Sequence, residues 1–222
     1  MTKSSGTILG GEGRPGGRGA GTAPRNLPLA ELTRNIDAVA IGASAGGVEV
    51  LSALLSSLPA RCPVAFFIVL HIPRERPSLL PEVFSLRCAL PVKEAEDKEP
   101  VQPGTVYFAP PDYHLLLDRG PAFALSSDEP VHFSRPSIDV LFESAADIYA
   151  ERLLGLILTG ANQDGAAGLA AIGRAGGRTV VQDPDSAAVA YLPRAALRQG
   201  PVDLILSLTQ LQAVFATWGP RG

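Results

Sequence analysis

Three residues that could do chemistry each follow an apolar run of the chain: Ser44, His71 and Asp164. A serine, a histidine and a carboxylate in contact perform acyl transfer, in which the serine attacks a carbonyl, the histidine takes its proton and the acid orients the histidine. Because the carboxyl ends of parallel strands meet at one edge of a sheet, we expect these side chains to lie close together. The sequence therefore predicts a serine hydrolase centre there.

Each of these residues also has a simpler interpretation. Ser44 can cap the following helix or contact a phosphate, His71 can be an ordinary histidine at a strand end, and Asp164 can cap the next helix. The combination favours the hydrolase interpretation, because no other position at the predicted edge offers a rival serine, histidine and acid. The two other histidines are expected in a strand of the middle region (His114) and in a polar loop (His132).

The segment Gly42-Ala43-Ser44-Ala45-Gly46 fits the G-x-S-x-G pattern of a nucleophile elbow. Glycine on each side allows a sharp turn from strand to helix, and the N–H groups of the following helix favour developing negative charge. The same segment is similar to a dinucleotide-binding G-x-G-x-x-G, but Ser44 replaces the middle glycine and His71 stands where an acid is expected. The sequence thus argues against nucleotide binding.

The apolar pattern predicts the elements that position these residues. A strand at 37–43, a helix at 48–58 and a strand at 63–71 form a βαβ unit, and strands and helices alternate again after residue 152. These features predict an α/β fold: a doubly wound, mainly parallel sheet with helices on both faces and an antiparallel strand pair attached.

The middle of the chain is less regular. The segment "GTVYFAPPDYHLLLD" predicts two strands around a Pro-Pro-Asp turn. The segment "SRPSIDVLFESAADIYA" predicts a helix with Ser134 as its cap and Pro136 in its first turn.

Composition limits the domain organisation and the partners. The chain has 222 residues, a net charge of −3 and 46% hydrophobic residues, so we expect one α/β domain that binds no nucleic acid and does not insert into a membrane. Eight glycines at positions 6–21 predict that residues 1–34 are a disordered tail and that the domain covers residues 35–219. The two cysteines, Cys62 and Cys88, form no CxxC pair, which fits a reducing compartment and argues against a zinc site.

Several segments in this order are shared with one known family: "AIGASAGG", "LHIP", "VKEAEDKEPVQPGTVYFAPPDYHLLL", "RPSIDVLF", "LTGANQDGAAGL" and "LPRAAL". Over about residues 36–217 the chain resembles the catalytic domain of the CheB-type chemoreceptor glutamate methylesterases. The resemblance implies a parallel α/β sheet and a triad made by Ser44, His71 and Asp164. It implies hydrolysis of γ-glutamyl methyl esters on the cytoplasmic helices of chemotaxis receptors, with deamidation of glutamines there. It implies no metal and no cofactor, and a cytoplasmic location.

The chain departs from the family pattern in three ways. The receiver domain that controls family members has no counterpart in these residues, and the glycine-rich tail stands in its place. Ala45 replaces a threonine beside the nucleophile. In "TGANQDG", Ala161 replaces a methionine and Asn162 replaces a glycine. We expect the oxyanion donors to be the backbone N–H groups of Ala45 and Ala161. The altered loop leaves one alternative: a binding or regulatory module of a chemosensory system with weakened catalysis.

Overall fold

A computed structural model describes residues 27–71 and 79–219 of the chain. Alternating strands and helices make up most of this part. The strands are β1 (Ala38–Ala43), β2 (Ala65–Leu70), β3 (Val92–Glu94), β4 (Val106–Phe108), β5 (His114–Asp118), β6 (Ala122–Ser126), β7 (Leu153–Ile157), β8 (Arg178–Gln182) and β9 (Leu204–Leu206). The helices are α1 (Leu29–Leu32), α2 (Gly47–Leu55), α3 (Leu80–Ser85), α4 (Ile138–Tyr149), α5 (Ala166–Arg174), α6 (Tyr191–Gln199) and α7 (Leu208–Phe215).

Seven strands form one parallel sheet in the order β3-β4-β2-β1-β7-β8-β9. The central strand β1 lies between β2 and β7: the chain goes to one side of β1 with β2, β3 and β4 and to the other side with β7, β8 and β9, so the strand order reverses at β1. In open α/β sheets, such a reversal leaves a crevice at the carboxyl ends of the strands. The predicted fold class is confirmed, including the attached antiparallel pair, which is β5 with β6.

Both faces of the sheet are buried, because successive side chains of a strand point to opposite faces. Phe66 and Ile68 of β2 belong to one core, which α2 and α7 cover, whereas Phe67 and Val69 belong to the other, which α4, α5 and α6 cover. This arrangement explains why the central strands read as continuous apolar runs rather than as alternating ones.

The two strands predicted around Pro110-Pro111-Asp112 are present as β4 and β5, but they do not pair with each other. The strand before that turn, β4, joins the main sheet in parallel with β2 and β3, and the strand after it, β5, pairs with β6 instead. The residues of β4 are all buried, as a strand covered on both faces requires. In contrast, β5 ends in an exposed residue and has one buried face, which suits a small sheet lying on α4.

The predicted cap of α4 is wrong. The helix begins at Ile138, and the capping side chain is Ser137, whose hydroxyl accepts a hydrogen bond from the N–H of Val140 at 3.4 Å. Pro136 therefore lies before the helix rather than inside its first turn. A proline disfavours helical geometry in the residue that precedes it, so the helix could not include Arg135 and start at Ser134.

Part of the predicted tail, residues 27–34, lies within the described residues. The short helix α1 places Leu32 in the core with α7, and only 1% of the Leu32 surface is exposed. An apolar side chain that fits this core offsets the entropy of ordering a few more residues. The rest of the predicted disordered tail, residues 1–26, lies outside the described residues. No helix within residues 27–71 and 79–219 is long and apolar enough to cross a membrane.

Candidate active site

The ends of the three central strands bring Ser44 and His71 to one edge of the sheet. Two backbone hydrogen bonds continue the parallel pairing past the strands themselves. The N–H of His71 donates to the carbonyl of Ala43 at 3.1 Å, and the N–H of Ser44 donates to the carbonyl of Thr159 at 3.0 Å. Ser44 is therefore fixed between the extensions of β2 and β7.

The ring of His71 is held at both nitrogens. Its Nε2 lies 2.9 Å from Oδ2 of Asp164, and its Nδ1 lies 3.2 Å from Nδ2 of Asn162. With the amide in this orientation its nitrogen donates, so we assign Nδ1 of the neutral ring as the acceptor and Nε2 as the nitrogen whose proton is donated to the carboxylate. The lone pair of Nδ1 is therefore the basic position of the ring.

The carboxylate of Asp164 is completely buried and lies at the start of α4. It accepts hydrogen bonds from the hydroxyl of Ser137 (2.7 Å) and from the backbone N–H groups of Ile138 (2.8 Å) and Asp139 (3.1 Å). Burial by itself raises the pKa of Asp164, but the hydrogen bond with His71 and these three donors outweigh it and lower the pKa. Asp164 is thus ionised at neutral pH and holds His71.

Asp164 does not cap the helix that follows it. The N-cap of α5 is Gly165, whose φ of 104° only glycine adopts easily, and Asp164 turns its side chain toward α4 instead. The start of α4 comes this close because Gly42 and Gly165 lack side chains. A Cβ atom added at either glycine would lie 2.4 or 2.5 Å from Cγ2 of Ile138.

A second carboxylate, Asp139, was not singled out from the sequence. It lies in the first turn of α4, and its Oδ1 accepts a hydrogen bond from the N–H of Gly168 in α5 at 2.6 Å. Burial raises the pKa of Asp139, the Gly168 N–H opposes this increase, and the charge of Asp164 adds to it. We call this arrangement the exchange of carboxylates between α4 and α5: Asp164, which lies just before α5, binds the start of α4, and Asp139 of α4 binds the start of α5.

The turn that carries Ser44 is supported from β7. The hydroxyl of Thr159 donates to the carbonyl of Ala45 at 2.8 Å and accepts from the N–H of Val189 at 2.8 Å. Gly46, with a φ of 77°, then begins α2. Ala45 and Ala161 are both exposed, and within the described residues neither backbone N–H donates a hydrogen bond.

A cavity of about 200 Å³ opens at this edge of the sheet. Phe133 stands at its rim with 99% of its side chain exposed. Next to it, Arg135 is fixed by two hydrogen bonds to Oδ1 of Asp112, at 3.1 and 2.8 Å. The cavity could receive one extended side chain of a larger partner. Its lining residues are Ser44, His71, Phe133, Ser134, Arg135, Pro136 and Asn162.

The two other histidines lie outside this cavity lining. His114 is buried in β5, where its Nδ1 accepts a hydrogen bond from the N–H of Ser137 at 3.2 Å and its Nε2 donates to the carbonyl of Glu129 at 3.2 Å. His132 is part-exposed, and its Nε2 lies 3.6 Å from Oδ2 of Asp139. Within the described part of the chain, no group of acidic residues, histidines and cysteines could hold a metal ion.

A family model described as CheB methylesterase matches residues 39–215 of this chain. The chain belongs to the CheB methylesterase family. The match covers the main sheet together with Ser44, His71 and Asp164, so the family resemblance stated from the sequence is confirmed.

Two CheB relatives and a solved structure support this membership. A protein of Leptospira interrogans is 45% identical over 181 residues, which are 82% of this chain and 94% of the relative. A protein-glutamate methylesterase/protein-glutamine glutaminase of Bordetella parapertussis is 41% identical over 83% of this chain, which spans 54% of that relative. The crystal structure of the Thermotoga maritima CheB methylesterase catalytic domain superposes with a TM-score of 0.74 at 31% identity, covering 81% of this chain and 98% of that domain.

Proposed function

We propose that this CheB family member is a serine hydrolase that removes methyl groups from γ-glutamyl methyl esters of chemotaxis receptors. The observation that carries the proposal is the hydrogen bond between His71 and the buried carboxylate of Asp164, in a cavity that Ser44 also lines. Relatives of this chain are named for the same activity, which supports the choice of substrate.

The proposed reaction starts with attack of the Ser44 hydroxyl oxygen on the ester carbonyl carbon. The hydroxyl proton passes to Nδ1 of His71, since Nε2 already donates to Asp164. The tetrahedral intermediate then expels methanol, which takes the proton back from Nδ1. A water molecule repeats the sequence on the acyl-serine and releases the glutamate side chain as a carboxylic acid. Asp164 keeps its negative charge throughout and stabilises the imidazolium.

The negative charge on the carbonyl oxygen needs donors that are free in the resting enzyme. The backbone N–H groups of Ala45 and Ala161 meet this condition, because both lie beside Ser44 in the chain or across the sheet edge and have no partner among the described residues. Both are backbone donors, so the replacement of the family's threonine and methionine side chains at these positions leaves them in place. We assign them as the oxyanion donors.

The substrate is proposed to be a glutamyl side chain that projects from a helix of the receptor's cytoplasmic region. The cavity of about 200 Å³ accommodates one side chain, while the helix itself rests on the rim. The site would act on a glutamine in the same way, with ammonia as the leaving group, which supports a deamidase activity on the same receptors. Methoxide leaves more readily than an amide anion, so we expect ester cleavage to be faster. Such a receptor region places the enzyme in the cytoplasm.

The test is incubation of the enzyme with a receptor peptide that carries glutamyl methyl esters and glutamines. Mass spectrometry separates the two reactions, because ester hydrolysis removes the mass of one methylene and deamidation replaces NH₂ by OH. Ser44→Ala should fold normally and lose several orders of magnitude in turnover. Methanol release by this variant at the wild-type rate would contradict the proposal. Failure of a fluorophosphonate to label Ser44 at neutral pH would mean that the hydroxyl is not activated.

A further inference from the structure

Asn162 occupies a position in this site that the proposed reaction does not explain. Its Nδ2 lies 3.2 Å from Nδ1 of His71, the nitrogen that has to accept the proton of Ser44. The same Nδ2 donates to the hydroxyl of Ser134 at 3.4 Å. Within the described residues, no hydrogen bond joins the hydroxyl of Ser44 to His71. The base is therefore engaged with an amide in the resting enzyme.

The side-chain oxygen of Asn162 has no hydrogen-bond partner among the described residues. This atom, Oδ1, is buried. A buried carbonyl oxygen without a hydrogen-bond donor is unfavourable. The orientation that brings Nδ2 to His71 leaves Oδ1 in this state, so it carries a desolvation penalty. Neither Ala161 nor Asn162 is among the described residues with a positive φ, so the loop needs no left-handed backbone at these two positions.

We propose that Asn162 is a positioning residue that acts as a latch on the general base, an inference that rests on the proposed esterase mechanism. In the closed state, its amide N–H binds the lone pair of Nδ1 and keeps the ring proton on Nε2 facing Asp164. In the open state, the amide rotates away when a substrate enters the cavity, and the hydroxyl of Ser44 takes its place at Nδ1.

The effect of the Asn162 amide on His71 depends on whether the ring is neutral or protonated, because the amide N–H can only donate. An amide N–H stabilises the neutral ring but cannot accept the proton that Nδ1 carries after the Ser44 hydroxyl has given it up. Once His71 is protonated, the favourable partner in Asn162 is Oδ1. The amide N–H therefore favours the neutral ring of the resting enzyme and opposes the protonated ring that the reaction forms.

The kinetic test compares three variants on a small activated ester, p-nitrophenyl acetate, and in labelling by a fluorophosphonate. Asn162→Ala should react about three- to tenfold faster, the range produced by loss of one neutral hydrogen bond that competes with the reaction. Asn162→Asp should react at least about tenfold more slowly, because a carboxylate of the same shape holds a proton on Nδ1. Gln163→Ala is the matched control, because it removes the exposed amide side chain of the neighbouring residue. It should react at the wild-type rate.

The second measurement does not depend on catalysis. The chain has three histidines, so the nitrogen-15 signals of the His71 ring can be assigned by comparison with His71→Gln. Above the titration range of the ring, Nδ1 should show an unprotonated nitrogen that accepts a hydrogen bond, and Asn162→Ala should shift it toward a nitrogen without a donor.

Two results would overturn the latch. One is a wild-type spectrum with the proton on Nδ1. The other is an Asn162→Ala variant that reacts at the wild-type rate, which would show that the amide does not restrain the base, or more slowly, which would show that it assists catalysis. Failure of the proposed esterase function gives a different result: Ser44→Ala would then still hydrolyse the ester, whatever the Asn162 variants do.

Discussion

Two helices point their N-termini toward the same cavity, but only one of these termini holds a charged side chain. The start of α4 is filled: the hydroxyl of Ser137 and the carboxylate of Asp164 take up its free N–H groups. The start of α2, next to Ser44, has Gly46 as its N-cap, and a glycine has no side chain that could accept from those groups.

The N-termini of α4 and α2 have the same electrostatic property but use it differently. A helix N-terminus favours negative charge through its unpaired N–H groups and its dipole. At α4 this property stabilises a permanent charge, and the pKa of Asp164 is lowered although the carboxylate is buried. At α2 no side chain caps the terminus, and we propose that it stabilises the negative charge that forms only during the reaction. In this proposal, two different helices stabilise the permanent charge and the transient charge.

The largest effect is expected from breaking the filled terminus with Asp164→Asn. The amide cannot accept all the hydrogen bonds that the carboxylate receives, and its NH₂ group favours the ring tautomer with the proton on Nδ1. Ester hydrolysis should fall by about 10³- to 10⁴-fold. The free energy of unfolding should also fall by about 1–3 kcal/mol, which chemical denaturation measures. Activity within tenfold of the wild type would show that Asp164 only caps α4.

A smaller effect is expected from Gly46→Ala at the N-cap of α2. The new Cβ would lie 2.8 Å from Cβ of Ala188, and the residue would keep a φ of 77°, so the turn beside Ser44 has to move. Esterase activity should fall by about 10- to 100-fold, since small displacements of reacting groups are costly.

Gly120→Ala is the matched control for this turn. Gly120 has a φ of 84° and no atom within 4 Å of an added Cβ, so it carries the same backbone penalty of roughly 1–2 kcal/mol without a clash. The free energy of unfolding of the Gly120→Ala variant should fall, while its esterase activity should stay at the wild-type level. Equal activity losses in both variants would contradict a specific role for the turn at Gly46.

The smallest effect is expected from Asp139→Asn, which tests the exchange of carboxylates between α4 and α5. The pKa of Asp139 is raised, so the folded protein holds this proton more tightly than the unfolded chain, and Asp139 costs stability as the pH rises through its folded pKa. Asparagine keeps an oxygen for the N–H of Gly168 but does not titrate. Relative to the wild type, the variant should therefore be more stable near pH 7 than near pH 4. A pH-independent difference between the two unfolding free energies would contradict this assignment.

The sequence predicted those parts of the site that depend on strand ends. Continuous apolar runs followed by Ser44 and His71 indicate buried parallel strands, and parallel strands bring their carboxyl ends to one edge. The fold class and the family were therefore accessible before the structure. The roles of Ser44, His71, Asp164, Ala45 and Ala161 stay predictions that the experiments above test.

The sequence did not reveal contacts that are made between distant segments. Asp164 looked like a cap for the helix that follows it, because local spacing favours that helix, whereas α4 is brought to it by packing on Gly42. The sequence favours Ser134 as the cap of the predicted helix, whereas in the structure the cap after Pro136 is Ser137 and the helix begins at Ile138. Asn162 was noted only as a replacement, since nothing in its neighbourhood in the chain predicts a contact with His71.

The exchange of carboxylates between α4 and α5 also has a consequence for local unfolding. Neither helix can unwind from its first turn alone, because unwinding α4 removes the donors of Asp164 and displaces the acceptor of Gly168, and unwinding α5 does the reverse. Such mutual dependence makes the two helices one cooperative unit, which opens as a whole or stays closed. When that unit opens, the carboxylate of Asp164 would lose all its backbone donors from α4 together rather than one at a time.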